Sequence, residues 1–131
     1  MQVRTQFSIF VVNRPGVLAG ITGMLAEAGV NLQALCLADS GEGGVLRCVC
    51  DDPEAARKVL DEKHDRWTET EVLVLEMTNH PGGFAAIAKK LGDARVNISY
   101  AYATASKQAG TTIAVFKVAD MKRAKEILAE A

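Results

Sequence analysis

A chain of 131 residues has room for one ordinary domain or for two small ones that share a core. A formal net charge of −1 and 5% aromatic residues remove the electrostatic pull and the stacking platforms that DNA, RNA or an anionic membrane would need. With 49% apolar and 24% charged residues, and no apolar run near the roughly 20 residues of a membrane span, the composition reads as that of a soluble globular protein.

The start, Met1-Gln-Val-Arg-Thr-Gln, lacks the layout of a secretory signal. Cys36, Cys48 and Cys50 are odd in number, which suits reduced thiols, so a cytoplasmic location is expected.

Residues 7–12 (F-S-I-F-V-V) read as a strand running into Asn13-Arg14-Pro15-Gly16, a turn in which Pro fixes φ and Gly relaxes it. Leu18, Ile21, Leu25 and Ala28 then mark the inward stripe of a helix. Residues 31–38 form the next strand, Ser40-Gly-Glu-Gly-Gly44 a reversal, and residues 45–50 a returning strand. Asp52-Pro53-Glu54 is a strong helix start: an Asp cap, Pro at the first position and an acid in the first turn. Ala56, Val59 and Leu60 face inward from that helix.

The series then repeats. Residues 72–78 read as a strand, Asn79-His80-Pro81-Gly82 as its turn, and Phe84, Ile87, Leu91 and Ala94 repeat the helical stripe at the same spacing. Residues 97–103 and 111–118 are strands, and Asp120 caps a last helix with Ala124, Ile127 and Leu128 inward. Asn13, Pro15, Gly16, Ile21, Leu25, Val30 and Asn31 recur 66 residues later, as Asn13 does at Asn79. By Asp52 and Asp120 the offset is 68, so the second copy has gained two residues in its hairpin loop.

A fixed internal period means two copies of one supersecondary unit. The expected fold is α+β: two ferredoxin-like βαββαβ units with antiparallel sheets and helices on one face, over residues 1–71 and 72–131. A closing strand is due after each second helix. The first copy has residues 64–71 for it. In the second copy three options stay open: a three-stranded sheet, a strand lent by residues 3–6, or a truncated chain.

Asn-Arg-Pro-Gly-Val-Leu, an amphipathic helix and then Gly-Val-Asn-Leu resemble the ACT domain, the small-molecule sensor of amino-acid metabolism; the resemblance covers nearly the whole chain as two tandem copies. It implies a free-standing, non-catalytic regulatory protein that binds a free amino acid without a cofactor and modulates an amino-acid metabolic enzyme; the half-open second sheet and the small repeat add the expectation of a homodimer. In the phosphoglycerate dehydrogenase version, the Asn before x-Pro-Gly and the Asn opening the next strand hold the effector across a domain interface. Here these are Asn13 and Asn31, and Asn79 and Asn97. The His that this version carries two residues before the first Asn is replaced by Val11 and Met77, so the ligand's side chain is expected to be hydrophobic, aromatic or imidazole rather than that of serine.

The residues themselves point to the same place. A helix N-terminus offers unpaired amides and a partial positive charge to a carboxylate. Asn13, Pro15, Gly16, Val17, Leu18 and Asn31 are the expected ligand-binding residues of the first copy, and Asn79, Gly82, Gly83, Phe84 and Asn97 those of the second. Gly83-Phe84 against Val17-Leu18, and Arg95 against Gly29, make the two sites unequal.

Other readings are blander. Cys48 and Cys50 lack the spacing of zinc ligands and read as small buried hydrophobes, so no metal is expected. Arg47 reads as surface-facing or paired, and Tyr100 and Tyr102 as core or pocket wall. Two other function classes remain: an enzyme-docking subunit without its own ligand, and an acylphosphatase-like hydrolase using Arg14 and Asn31. The second lacks that family's Gly-x-Val-Gln-Gly loop and has His80 at the repeat of Arg14.

Overall fold

Five elements follow one another and then repeat. The computed structural model describes residues 1–41, 43–64, 66–105 and 110–129. The first copy comprises β1 (Gln2–Val12), α1 (Val17–Glu27), β2 (Leu32–Ser40), β3 (Gly43–Cys50) and α2 (Pro53–Lys63). The second comprises β4 (Trp67–Thr78), α3 (Gly83–Asp93), β5 (Ile98–Ala105), β6 (Thr111–Val118) and α4 (Met121–Ala129). Glu42 in the first reversal, Asp65 before β4 and residues 106–109, where the two added residues of the second hairpin were expected, lie outside the described residues.

β3 runs antiparallel between β1 and β2, with Phe7 opposite Cys48 and Ile9 opposite Leu46. β6 does the same between β4 and β5, with Leu73 opposite Phe116 and Leu75 opposite Ala114. The architecture is α+β, two ferredoxin-like units with antiparallel sheets and helices on one face.

Residues 5–70 form one compact unit; residues 71–131 together with residues 1–4 form the other. The long strands β1 and β4 therefore change units part-way. Trp67, at the start of β4, packs on the core of the first unit, while Val3, in the first turn of chain, packs on the core of the second. Residues 2–6 extend β1 well before the apolar run that marks it in the sequence, since strand pairing holds a polar segment that alternation alone does not reveal.

Each core is a layer between sheet and helices. Phe7, Ile9, Leu25, Leu46, Cys48 and Leu60 fill the first; Leu73, Leu91, Phe116, Ala124 and Leu128 fill the second. Side chains of this size contribute about 1.5–3 kcal/mol each when fully buried. Leu25 and Leu91 are the buried anchors of α1 and α3, with Ile21, Met24 and Ile87 packed beside them. The first members of both expected stripes differ: Leu18 and Phe84 remain 39% and 41% exposed. Ala28 is also exposed, as the C-cap of α1.

The caps follow the sequence. Asp52 accepts from the Ala55 amide at 3.1 Å, and Asp120 from the Arg123 amide at 3.0 Å. Both first helices close through a left-handed residue, Gly29 (φ 78°) and Arg95 (φ 62°), after which Val30 and Val96 donate back to the carbonyls of Leu25 and Leu91. Among the described residues, no helix is long and apolar enough to cross a membrane.

Candidate functional site

β1 ends at Val12, and the chain reverses through Asn13, Arg14 and Pro15 into Gly16, which takes φ 88° and ψ −11°. That left-handed conformation is open to glycine without strain and costs other residues roughly 1–2 kcal/mol. Val17 donates back to the Arg14 carbonyl at 3.4 Å, and no side chain caps α1. The first-turn amides therefore point outward with the helix's partial positive charge.

A cavity of about 250 Å³ opens at this point. Asn13, Arg14 and Gly16 form its rim on the turn, and Val11, Ile21 and Leu46 its apolar floor. Val17 and Leu18 border it from α1, Leu37 and Asp39 from β2. The cavity offers helix amides to an anion, the Asp39 carboxylate to a cation, and the side chains of Leu37 and Leu46 to an apolar group.

Five of the six residues expected in the first site lie around the turn: Asn13, Gly16, Val17 and Leu18 line the cavity, and Pro15 shapes the turn without lining it. Asn31 does not join them. It opens β2 beyond the far end of α1, and a helix of 11 residues spans roughly 16 Å. There its amide donates to Asp51 Oδ1 at 2.9 Å, and its carbonyl accepts from the Asp51 amide at 3.0 Å. Arg14 and Asn31 consequently do not form the pair an acylphosphatase-like reading requires.

Sequence reasoning missed Leu37, Leu46 and above all Asp39. The signal was present in the strand period: Leu35, Leu37 and Asp39 share a face of β2, and Leu37 stands opposite Leu46. Only the hairpin register turns that face toward the turn after β1.

The second turn has the same backbone and different contents. Gly82 takes φ 90° and ψ −6°, again without a side-chain cap, and Asn79 donates to the Gly110 carbonyl at 3.0 Å. A Cβ on Gly83 would stand 2.6 Å from the Thr78 carbonyl oxygen, so this glycine is required by packing. His80 folds over the same carbonyl, with Nδ1 at 3.1 Å. Phe84 stacks on Phe116, centroids 5.2 Å apart and planes 20° from parallel. Asn97, like Asn31, lies past the far end of its helix, where its carbonyl accepts from the Ala119 amide at 3.0 Å.

The remaining candidates are structural in character. Cys48 and Cys50 are buried, with sulfurs 4.0 Å apart. The contact with Cys50 and then burial push the Cys48 thiol far above its ordinary range, which disfavours the reactive thiolate. Tyr100 and Tyr102 are half-buried on β5, Tyr100 opposite Lys117 and Tyr102 opposite Val115. Among the described residues, no group of three or more His, Cys, Asp or Glu is placed to hold a metal.

Known proteins can be compared with this geometry. A crystal structure of a protein from Bacteroides thetaiotaomicron matches with a TM-score of 0.90 and 34% identity, over 98% of this chain and 88% of that one. The ligand-free regulatory subunit of aspartate kinase from Thermus thermophilus matches with a TM-score of 0.73 and 14% identity, over 99% and 95% of the two chains. The regulatory subunit of aspartate kinase from Thermus flavus gives 0.61 and 16%, over 99% and 92%. At such identities these two show a shared fold. No curated protein sequence matches. The family described as an ACT domain pair matches residues 1–131. From end to end, then, the chain belongs to the ACT domain pair family.

Proposed function

We propose that the chain is a non-catalytic regulatory protein that binds a free amino acid in the cavity beside Gly16. The observation that carries this reading is the uncapped N-terminus of α1 opening onto an apolar cavity with Asp39 at its edge. The Leu37, Leu46 and Ile21 lining favours a hydrophobic side chain, with aromatic and imidazole side chains as the nearest competitors. Regulation of an amino-acid metabolic enzyme, in the cytoplasm, is the role that fits membership of the family. A sensor of this type works at micromolar to millimolar Kd, roughly −8 to −4 kcal/mol.

Asn31 enters such a site only from a second copy. β2 is the terminal strand, paired with β3 along one edge. Two β2 strands pairing antiparallel across a dimer axis bring the start of one beside the end of the other. Asn31 of one chain then approaches the Leu37–Asp39 wall of its partner's cavity. A ligand touching both chains favours the paired arrangement, and its leverage equals its differential affinity for the two states.

The test is a thermal-shift screen of the twenty amino acids at several millimolar, followed by titration calorimetry and sedimentation with those that respond. At least one hydrophobic, aromatic or imidazole amino acid raises Tm, and Leu37→Trp, which fills the cavity from an exposed strand position, abolishes the shift. A shift that survives Leu37→Trp, or no shift with any amino acid, refutes the reading.

A further inference from the structure

Near the start of β3, Gly44 stands between Val11 of β1 and Asp39 of β2, and the pairing runs through it in unbroken register on both sides. Glycine weakens such a strand, because it loses the most freedom on folding and packs no side chain against its neighbours. The ordinary reasons for a strand glycine do not apply here. Gly44 is not left-handed, unlike Gly41 in the same hairpin, and no bulge falls at it. A Cβ would stand 3.3 Å from the Ala38 carbonyl oxygen, 3.4 Å from Val11 Cγ2 and 3.7 Å from Leu37 Cδ1, well clear of the 2.6 Å that makes Gly83 obligatory. At the matched register of β6, opposite Met77 as Gly44 is opposite Val11, the second copy carries Thr112. The strand therefore accepts a side chain at this position, and what glycine adds is room.

That room belongs to the cavity beside Gly16. Residues 44, 46 and 48 share one face of β3, and Leu46 and Cys48 lie in the helical core, so the missing side chain of Gly44 would point to the same side. There Gly44 lines the cavity together with Val11, Ile21, Leu37 and Leu46. It is itself buried, at the bottom of a slot between Val11 and Leu37.

The slot is one residue wide. Neighbouring strands stand about 4.8 Å apart, and the residues across the sheet on either side, Val11 and Asp39, both carry side chains. Its walls are methyl groups, since Val11 Cγ2 and Leu37 Cδ1 are the side-chain atoms nearest to the place of the missing Cβ. Such a slot receives the methyl end of a branched aliphatic chain, whereas a flat ring is broader than the gap.

We infer that Gly44 is the specificity-determining residue of this cavity: its missing side chain gives the cavity its depth, and the depth selects an amino acid with a branched aliphatic side chain of leucine's length over shorter ones. The inference rests on the amino-acid reading proposed above and names the ligand class within it. Room for one methylene in an apolar pocket changes affinity by about 10–200-fold. Gly44→Ala raises the floor of the slot by one methyl group.

The test is calorimetric titration of the full chain with L-leucine, L-valine, L-phenylalanine and L-histidine. Wild type binds leucine more tightly than valine, and Gly44→Ala lowers the leucine-to-valine affinity ratio at least tenfold. The ratio is the decisive readout, because a merely structural defect weakens both ligands alike. Gly23→Ala, at an exposed helix position with nothing within 4 Å of its Cβ site, keeps the ratio within twofold. Should Gly44→Ala fail to fold, Leu37→Ala decides: at a strand position 48% exposed, it removes one wall of the slot and raises the phenylalanine-to-leucine ratio at least tenfold. Smaller changes in these ratios overturn the inference, as does a wild type that binds phenylalanine or histidine and not leucine; both results leave the broader amino-acid reading standing. Silence from all twenty amino acids in the thermal-shift screen removes the two together.

Discussion

The two copies share a turn and divide its surroundings. Gly16 and Gly82 differ by two degrees in φ, and neither helix is capped by a side chain. Around the first turn stand Leu18, Leu37 and Leu46, with Cys48 behind; at the repeated positions the second copy has Phe84, Ala103, Ala114 and Phe116. The first set is three branched side chains around a cavity. In the second, two rings stack on each other over a floor of alanines. Backbone geometry was kept twice, therefore, while the space next to it took two forms: one unit leaves room beside its helix amides, and the other brings aromatic rings together near them. A shared turn does not bring shared surroundings: among the described residues, the side chains opposite it differ between the copies.

The comparison breaks most visibly if the cores are not equivalent. Leu25 and Leu91 are fully buried at matched positions of α1 and α3. Leu25→Ala and Leu91→Ala should each cost about 3 kcal/mol in urea unfolding. A cost under about 1 kcal/mol at either position would mean that the two units do not rest on the same anchor.

At the first turn of each helix the copies should part. Phe84→Ala removes a stacked ring and should destabilise the protein by about 2 kcal/mol, with no effect on an amino-acid-induced Tm shift. Leu18→Ala removes a side chain that borders the cavity; it should cost about 1 kcal/mol or less and reduce that shift. The reverse pattern, a ligand response lost in Phe84→Ala and kept in Leu18→Ala, would move the site to the second copy.

What the sequence made legible was whatever depends on local chemistry. The Asn-x-Pro-Gly turns, the Asp52 and Asp120 caps and the Ile21/Leu25 and Ile87/Leu91 anchors are fixed by residues within one or two turns of chain, and a period repeated twice exposes them. The content of the cavity is not local. Asp39 sits 23 residues from Gly16 and reaches the turn only because the β2–β3 hairpin sets Leu37 opposite Leu46. Asn31 stands apart for the opposite reason: the motif brings it close in sequence, and the length of α1 then carries it away from the turn of its own chain. The polar start of β1 was hidden because its strand state comes from pairing and not from its own alternation.

Asp39 also supplies the sharpest test of ligand polarity. If it meets the ammonium group, Asp39→Asn keeps the shape and removes the charge, which should weaken amino-acid binding about tenfold, or 1.4 kcal/mol. Its exposed position predicts almost no change in unliganded Tm. Binding of the des-amino acid of the same side chain should be insensitive to the substitution. Equal losses for both ligands would assign Asp39 to shaping the wall and not to reading the charge.

The smallest expected difference concerns how α1 and α3 end. Gly29 and Arg95 occupy the same left-handed position, φ 78° and 62°, with the same closing bonds from Val30 and Val96. A side chain there carries roughly 1–2 kcal/mol of strain. Against it works the unfolded chain, which glycine loosens by about 0.4–1 kcal/mol. Strain is the larger of the two, so Gly29→Ala should destabilise by about 0.5–1 kcal/mol and Arg95→Gly should stabilise by a similar amount. No Cβ clash complicates the first substitution, since nothing lies within 4 Å of the position a Cβ would take on Gly29. Urea midpoints of the two variants moving in opposite directions measure the excess of strain over unfolded-chain entropy; midpoints moving the same way would show that unfolded-chain entropy outweighs strain at one of the two helix ends.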